Sequence, residues 1–235
     1  MNINKELIFK ESLPFFKNLS KEEKNILYDA SHIEEYKAGE LIYSKYKSCT
    51  GLVLVANGQL RSFMSSLSGK EITLFKLFKN DLCILSSSCF YQNLSYDINL
   101  QAVDNSSLII IDGKLFKDLL NQNISIQKFM LEVTQSKLSE IMWVLEQVVF
   151  FNLDYRLADY LINQYYLKNS LEINITHEAI ANDLGSSREV ISRMLKRFEK
   201  DNIVKVSRGC IKIINIEKLQ SILQQNWIST PAFGD

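Results

Sequence analysis

The chain has few of the residues that break regular structure: two prolines and eight glycines in 235 residues. That excludes a Pro/Gly-rich linker, so domain boundaries have to be read from changes in hydrophobic period. Cysteine is scarce, at positions 49, 83, 89 and 210. These four share no repeating spacing and fit a reducing compartment better than a disulfide framework. The two histidines, His32 and His177, form no metal-spaced cluster, and there is no nucleophile elbow, P-loop or patterned carboxylate pair. Asp81 and Asp97 are isolated acids that read as loop residues, so no catalytic residue is expected and the chain does not read as an enzyme. No apolar run approaches the ~18 residues a bilayer span requires, and no membrane partner is expected. The opening Met1-Asn2-Ile3-Asn4-Lys5-Glu6 lacks signal-peptide architecture, which places the expected location in the cytoplasm.

Net charge is also absent, with 27 basic residues balancing 27 acidic ones. The basic residues are nevertheless unevenly spread. From Gly185 to Lys212 there are eight (188, 193, 196, 197, 200, 205, 208 and 212) against three acids (189, 199 and 201). Local positive charge of this kind suits a phosphate backbone. Within it, Gly185-Ser186-Ser187 reads as a tight turn, with either serine able to cap the helix that follows. Val190, Met194, Leu195 and Phe198 recur at helical spacing and are expected to pack inward. Arg188, Glu189, Ser192 and Arg193 then lie on or near the other face, where arginine can grip guanine and a carboxylate can accept from cytosine.

The preceding segment, Thr176 to Leu184, reads as a short helix capped by Thr176, with Ala179, Ile180 and Leu184 inward. Two helices about a glycine turn make a helix-turn-helix. Beyond it, Ile203–Val206 and Cys210–Ile214 flank Ser207-Arg208-Gly209 as a hairpin, the wing of a winged helix. Double-stranded DNA is the expected partner. RNA fits less well, because no aromatic platform accompanies the arginines.

These residues, from Ile180-Ala181 through Leu184-Gly185-Ser186-Ser187-Arg188-Glu189-Val190-Ile191-Ser192-Arg193-Met194-Leu195-Lys196, resemble the helix-turn-helix signature of the Crp/Fnr family of transcription regulators. The resemblance implies an α+β chain with an N-terminal antiparallel, jelly-roll-like β-roll, a long dimerisation helix and a C-terminal winged helix-turn-helix. It implies a homodimer on a palindromic promoter site, with RNA polymerase as a further partner. Arg188, Glu189 and Arg193 would read bases, joined by Ser192 as in the Fnr-like branch. Thr176, His177, Ser187, Lys196, Lys205 and Arg208 would contact phosphates. Arginine before the glutamate and serine before the last arginine mix two branches, which leaves the half-site open.

The rest of the chain fits three regions: an effector-sensing β-roll over 1–120, a dimerisation helix over 121–152 and the DNA-binding domain over 153–235. Ser20 and Glu23 offer a capping box. Short β-rich runs follow, with Asn57-Gly58 read as a hairpin turn and Ser68-Gly69-Lys70 as another. Ile126, Met130, Val133, Leu138, Ile141, Leu145 and Val148 form an apolar seam along a Gly- and Pro-free helix. A seam of this kind is what two chains need to pair, although packing on the helix's own roll is the alternative. A further helix begins near Asp154, read as its cap, with Leu157, Leu161 and Ile162 inward.

Between Asp81 and Asp112 there is no Lys, Arg or Gly, whereas a buried phosphate needs charged donors and close backbone approach. The phosphate-binding pattern of cyclic-AMP-binding relatives is therefore missing. No cysteine precedes Cys49, which argues against the family's iron–sulfur cluster. The resemblance leaves haem, answering nitric oxide or another diatomic gas, as one candidate, with Met64, His32, Cys83 and Cys89 as axial ligands. Thiol oxidation of Cys83 and Cys89 is a second. A small organic ligand held by Ser86 and Ser87 is a third. A cyclic-nucleotide-type signalling module without DNA binding is a different class, and the basic winged helix speaks against it.

Overall fold

The computed structural model describes residues 4–44, 51–84 and 97–229. Two helices open the chain, α1 (Lys5–Ser12) and α2 (Lys21–Asp29), separated by a 3-10 turn over Pro14–Asn18. Ser20 accepts from the Glu23 N–H while the Glu23 carboxylate accepts from the Ser20 N–H, so the capping box forms as expected. Eight strands follow: β1 (Ser31–Tyr36), β2 (Leu41–Tyr43), β3 (Leu52–Asn57), β4 (Leu60–Ser65), β5 (Glu71–Leu77), β6 (Leu82–Cys83), β7 (Asn99–Ala102) and β8 (Ser106–Ile111). They form two four-stranded sheets, ordered β1-β8-β3-β6 and β2-β7-β4-β5.

The central strands β3 and β8 of the first sheet are buried on both faces, which explains why β3 reads as an unbroken apolar run. Leu52 and Leu54, with Ile109 and Ile111, pack toward the helices. Val53 and Val55, with Leu108 and Ile110, pack in the cluster that also holds Leu60, Leu74 and Leu100 of the second sheet.

The turn at Asn57-Gly58 corrects one sequence expectation. It is not a hairpin, because β3 pairs with β6 and β8 whereas β4 pairs in the other sheet. The chain instead crosses between sheets. Gly58 has φ +94° there, and a Cβ would sit 2.3 Å from the Ser106 Oγ. The turn at Ser68-Gly69-Lys70 does join neighbouring strands, with the Ser66 N–H bonded to the Lys70 carbonyl.

Helix α3 (Gly113–Gln122) is capped by Asp112 and leads into the long α4 (Ile124–Phe150). The expected seam divides. Ile126 and Met130 are buried in the helical core of the first unit, with Val133 packed against it. Ile141 packs against the inter-sheet cluster. Ile126 and Met130 are therefore covered within their own chain, which corrects their assignment to the dimer seam, whereas Val133 and Ile141 are half-buried. Leu138, Leu145 and Val148 remain exposed, joined by Leu131, Met142, Trp143, Val149 and Phe150.

The chain divides into two compact units. One comprises residues 1–65 and 74–141, the other 66–73 and 142–235. In the second, α5 (Leu153–Lys168) is followed by β9 (Glu172–Asn174), α6 (His177–Leu184), α7 (Arg188–Lys200), β10 (Val204–Ser207), β11 (Cys210–Ile213) and α8 (Ile216–Ser229). The cap of α5 is Asn152, whose side chain accepts from the Tyr155 N–H. Asp154, expected to be that cap, instead forms an ion pair with Arg197. Leu157, Ala158, Leu161 and Ile162 of α5 join Ile180, Leu184, Ile191, Leu195 and Phe198 in one core.

Candidate nucleic-acid interface

The short α6 starts at Thr176, whose hydroxyl accepts from the Ala179 N–H. It ends at Gly185 with φ +64°, the left-handed conformation that glycine adopts without a Cβ penalty. The Gly185 and Ser186 N–H groups both bond the Ala181 carbonyl. Arg156 of α5 donates to the carbonyl of Leu184, a helix-end oxygen that would otherwise lack an intrahelical partner. The role of Arg156 across 28 residues has no local signature.

Ser187 caps α7 by accepting from the Val190 N–H at 3.4 Å. The inward stripe is Ile191, Met194, Leu195 and Phe198, at the i, i+3, i+4, i+7 spacing of a helix packed on one face. Val190 packs against this core half-buried, as expected, and Ile191, not singled out in the sequence, is fully buried beside it. On α6, Ala181 rather than Ala179 fills the core beside Ile180 and Leu184.

With about 100° per residue, Glu189, Arg193 and Lys196 project opposite the buried stripe. Arg188 and Ser192, one turn apart, flank it. Arg188, Glu189, Arg193 and Lys196 are exposed, and Ser192 is half-buried. Glu189 is held below the usual carboxylate range by its own backbone N–H, then by the Ser187 hydroxyl and the nearby Arg188 and Arg193. It therefore presents two ionised acceptor oxygens. His177 reaches across from α6, its Nδ1 2.8 Å from the Ser192 Oγ. Burial, then the charge of Arg188, lowers the His177 pKa.

The wing is a three-stranded sheet ordered β10-β11-β9. Its strand β9 was missed in the sequence, since Glu172-Ile173-Asn174 offers one apolar residue in three. Lys205 and Lys212 face each other across β10 and β11. Like charges in that position repel, and Glu172 offsets one of them by pairing with Lys212 at 2.8 Å. Arg208 and Gly209 make the exposed turn. Of the eight basic residues from 185 to 212, Arg197 and Lys212 carry an ion pair among the described residues. Arg188, Arg193, Lys196, Lys205 and Arg208 are exposed on α7 and the wing.

The effector candidates among the described residues, His32, Met64 and Cys83, do not converge. His32 lies on β1, exposed and 3.0 Å from Glu34. Cys83 is buried on β6. His32, Ile110, Val53 and Cys83 form one row across the sheet. Its ends are three strand spacings apart, about 14 Å. Met64 sits on β4 in the other sheet, 39% exposed. Ser86, Ser87 and Cys89 lie outside the described residues. Two side chains went unnoticed in the sequence. Ser62 is fully buried opposite Leu100, and its hydroxyl has no partner among the described residues. Lys137 of α4 lies 4.9 Å from the Phe75 ring centre and 2.7 Å from Glu140.

Comparison with known proteins agrees with this architecture. Residues 155–222 match the Crp-like helix-turn-helix domain, and residues 33–123 match the cyclic nucleotide-binding domain. A crystal structure of a Crp/Fnr-family transcriptional regulator from Eubacterium rectale is 34% identical, with a TM-score of 0.84. That match covers 91% of this chain and 99% of the other. The cyclic AMP receptor protein of Thermus thermophilus is 22% identical, covering 89% of this chain and 96% of that protein. The fumarate and nitrate reduction regulatory protein of Vibrio cholerae is 25% identical, covering 80% and 74%. With roll, long helix and winged helix-turn-helix all in place, the chain belongs to the Crp/Fnr family of DNA-binding transcription regulators.

Proposed function

We propose that two copies of this chain pair through the open apolar stripe of α4 and set their two α7 helices into the major groove of an inverted-repeat promoter site. The observation that carries this reading is the exposed Arg188, Glu189 and Arg193 on the first turns of α7, with Ser192 beside them. Both arginines suit the O6 and N7 acceptors of guanine, and the ionised Glu189 suits the amino group of cytosine. Thr176, His177, Ser187, Lys196, Lys205 and Arg208 are the phosphate contacts of this reading, and RNA polymerase is the further partner of the promoter-bound dimer. Binding a preferred site and a scrambled duplex at one salt concentration tests it. Site affinity at least about 1,000-fold tighter is expected, and equal affinity would exclude sequence reading.

The effector of this reading is not a cyclic nucleotide. The stretch from Asp81 to Asp112 carries no Lys, Arg or Gly to hold a phosphodiester. Haem with a diatomic gas remains the effector to test first. An absorption spectrum of protein purified without oxygen, with added haem and then nitric oxide, decides it. A defined Soret band that shifts with the gas supports haem. A featureless spectrum favours thiol oxidation or a small organic ligand.

A further inference from the structure

The contact between His177 and Ser192 joins the first helix of the motif to the second at the edge where bases would lie. It is 2.8 Å long and links residues fifteen apart. A serine hydroxyl owns one proton and two lone pairs, so alone it serves either a donor or an acceptor on a base. A fixed partner removes that choice.

We infer that His177 is a specificity-determining positioning residue: its Nδ1 accepts the hydrogen bond donated by the Ser192 hydroxyl, so that Ser192 offers DNA only lone pairs and selects a base with an exocyclic amino group in the major groove, adenine or cytosine. This inference rests on the base-reading role of α7 proposed above. An imidazole whose Nδ1 accepts carries its proton on Nε2, the atom left to donate to a backbone phosphate. Partial burial and the neighbouring Arg188 both favour the neutral ring this arrangement needs. The phosphate contact expected of His177 and the base contact expected of Ser192 thereby become one relay, from phosphate through imidazole and hydroxyl to the base edge. The adenine N6 or cytosine N4 amino group would complete it, whereas guanine and thymine offer only acceptors in the major groove.

The test is selection by the full chain from a duplex library with two randomised half-sites, followed by sequencing of the bound fraction. Wild type is compared with Ser192→Ala, His177→Ala, His177→Asn and the double alanine variant. Ser192→Ala should relax one base pair per half-site, where wild type prefers adenine or cytosine on the strand facing the hydroxyl. His177→Ala should relax the same pair, each by about five- to tenfold in preference. The double variant should be no more relaxed than either single one, and His177→Asn, whose amide oxygen can accept, should restore the preference. If Ser192→Ala relaxes a base pair that His177→Ala leaves sharp, the positioning role is wrong while base reading stands. A uniform loss of affinity in His177→Ala would reduce the residue to a phosphate contact. No change in any position with Ser192→Ala would remove both this inference and the base-reading role of Ser192. A wild-type preference for guanine or thymine there would overturn the proton assignment.

Discussion

Helices α4 and α7 each carry an apolar stripe, but they spend it differently. On α7 the stripe from Ile191 to Phe198 is wholly consumed by the core of its own unit, and what stays outside is charged and polar. On α4 only the first turns, at Ile126 and Met130, are buried in that way, with Val133 and Ile141 packed half-buried against the same unit. From Leu138 onward α4 carries an exposed apolar stripe: Leu138, Met142, Leu145 and Val149 are all exposed. Their spacing of four, three and four residues is the seam of a paired helix. The face a helix leaves uncovered tells what should cover it. A basic, hydrogen-bonding face on α7 asks for a polyanion with readable edges. An apolar stripe on α4 asks for protein, and a second copy satisfies it symmetrically.

The sharpest way to break this comparison is to put charge on the open stripe. Leu138→Asp with Leu145→Asp should convert the dimer to monomer in sedimentation, with DNA affinity falling by at least about a hundredfold as one half-site is lost. The unfolding temperature of each unit should move little, because these side chains are exposed. A dimer that persisted would show that the stripe is covered otherwise.

Next in size is the buried stripe of α7. Ile191→Ala should cost about 2–5 kcal/mol of stability in chemical denaturation, through the lost methylenes and the cavity they leave. Val190→Ala, at the half-buried neighbour, should cost clearly less. Similar costs at both sites would mean the helix is rotated from the position described.

The exposed face comes third. Arg188→Ala or Arg193→Ala should each cost about 1–3 kcal/mol on the preferred site and little on scrambled duplex, relaxing specificity at the base read. Smallest is Lys205→Ala on the wing, which should weaken all sequences alike and lower the slope of log affinity against log salt by about one. A sequence-dependent loss with Lys205→Ala would move the wing from backbone positioning to base reading.

What could be read in advance follows the range of the interactions involved. The helix-turn-helix was legible because its determinants lie within some twenty consecutive residues: the Thr176 and Ser187 caps, the Gly185 turn, and a 3.6-residue stripe. Even there Ile191 was overlooked beside Val190, since both are β-branched and adjacent, and only packing ranks them. Most strands of the roll were legible, but β1 and β6 were not, nor were the pairings. Asn57-Gly58 has hairpin chemistry, yet β3 finds β8 and β6, far along the chain, and the turn crosses between sheets. Which residues of the α4 seam meet which of the two fates was likewise invisible, because a stripe shows that something must cover it and not which surface does. The joining of His177 to Ser192 depends on how α6 and α7 cross, which no local pattern states.

The central claim is that this chain reads DNA sequence as a symmetric pair through α7. Selection from fully randomised duplexes by the wild-type protein, with sequencing of what is retained, tests it most directly. The account predicts an inverted repeat with half-site centres about 10 base pairs apart, or a multiple of that spacing, so that both helices meet the same face of the duplex. Retention of no preferred sequence, or of a single half-site without its repeat, would contradict it.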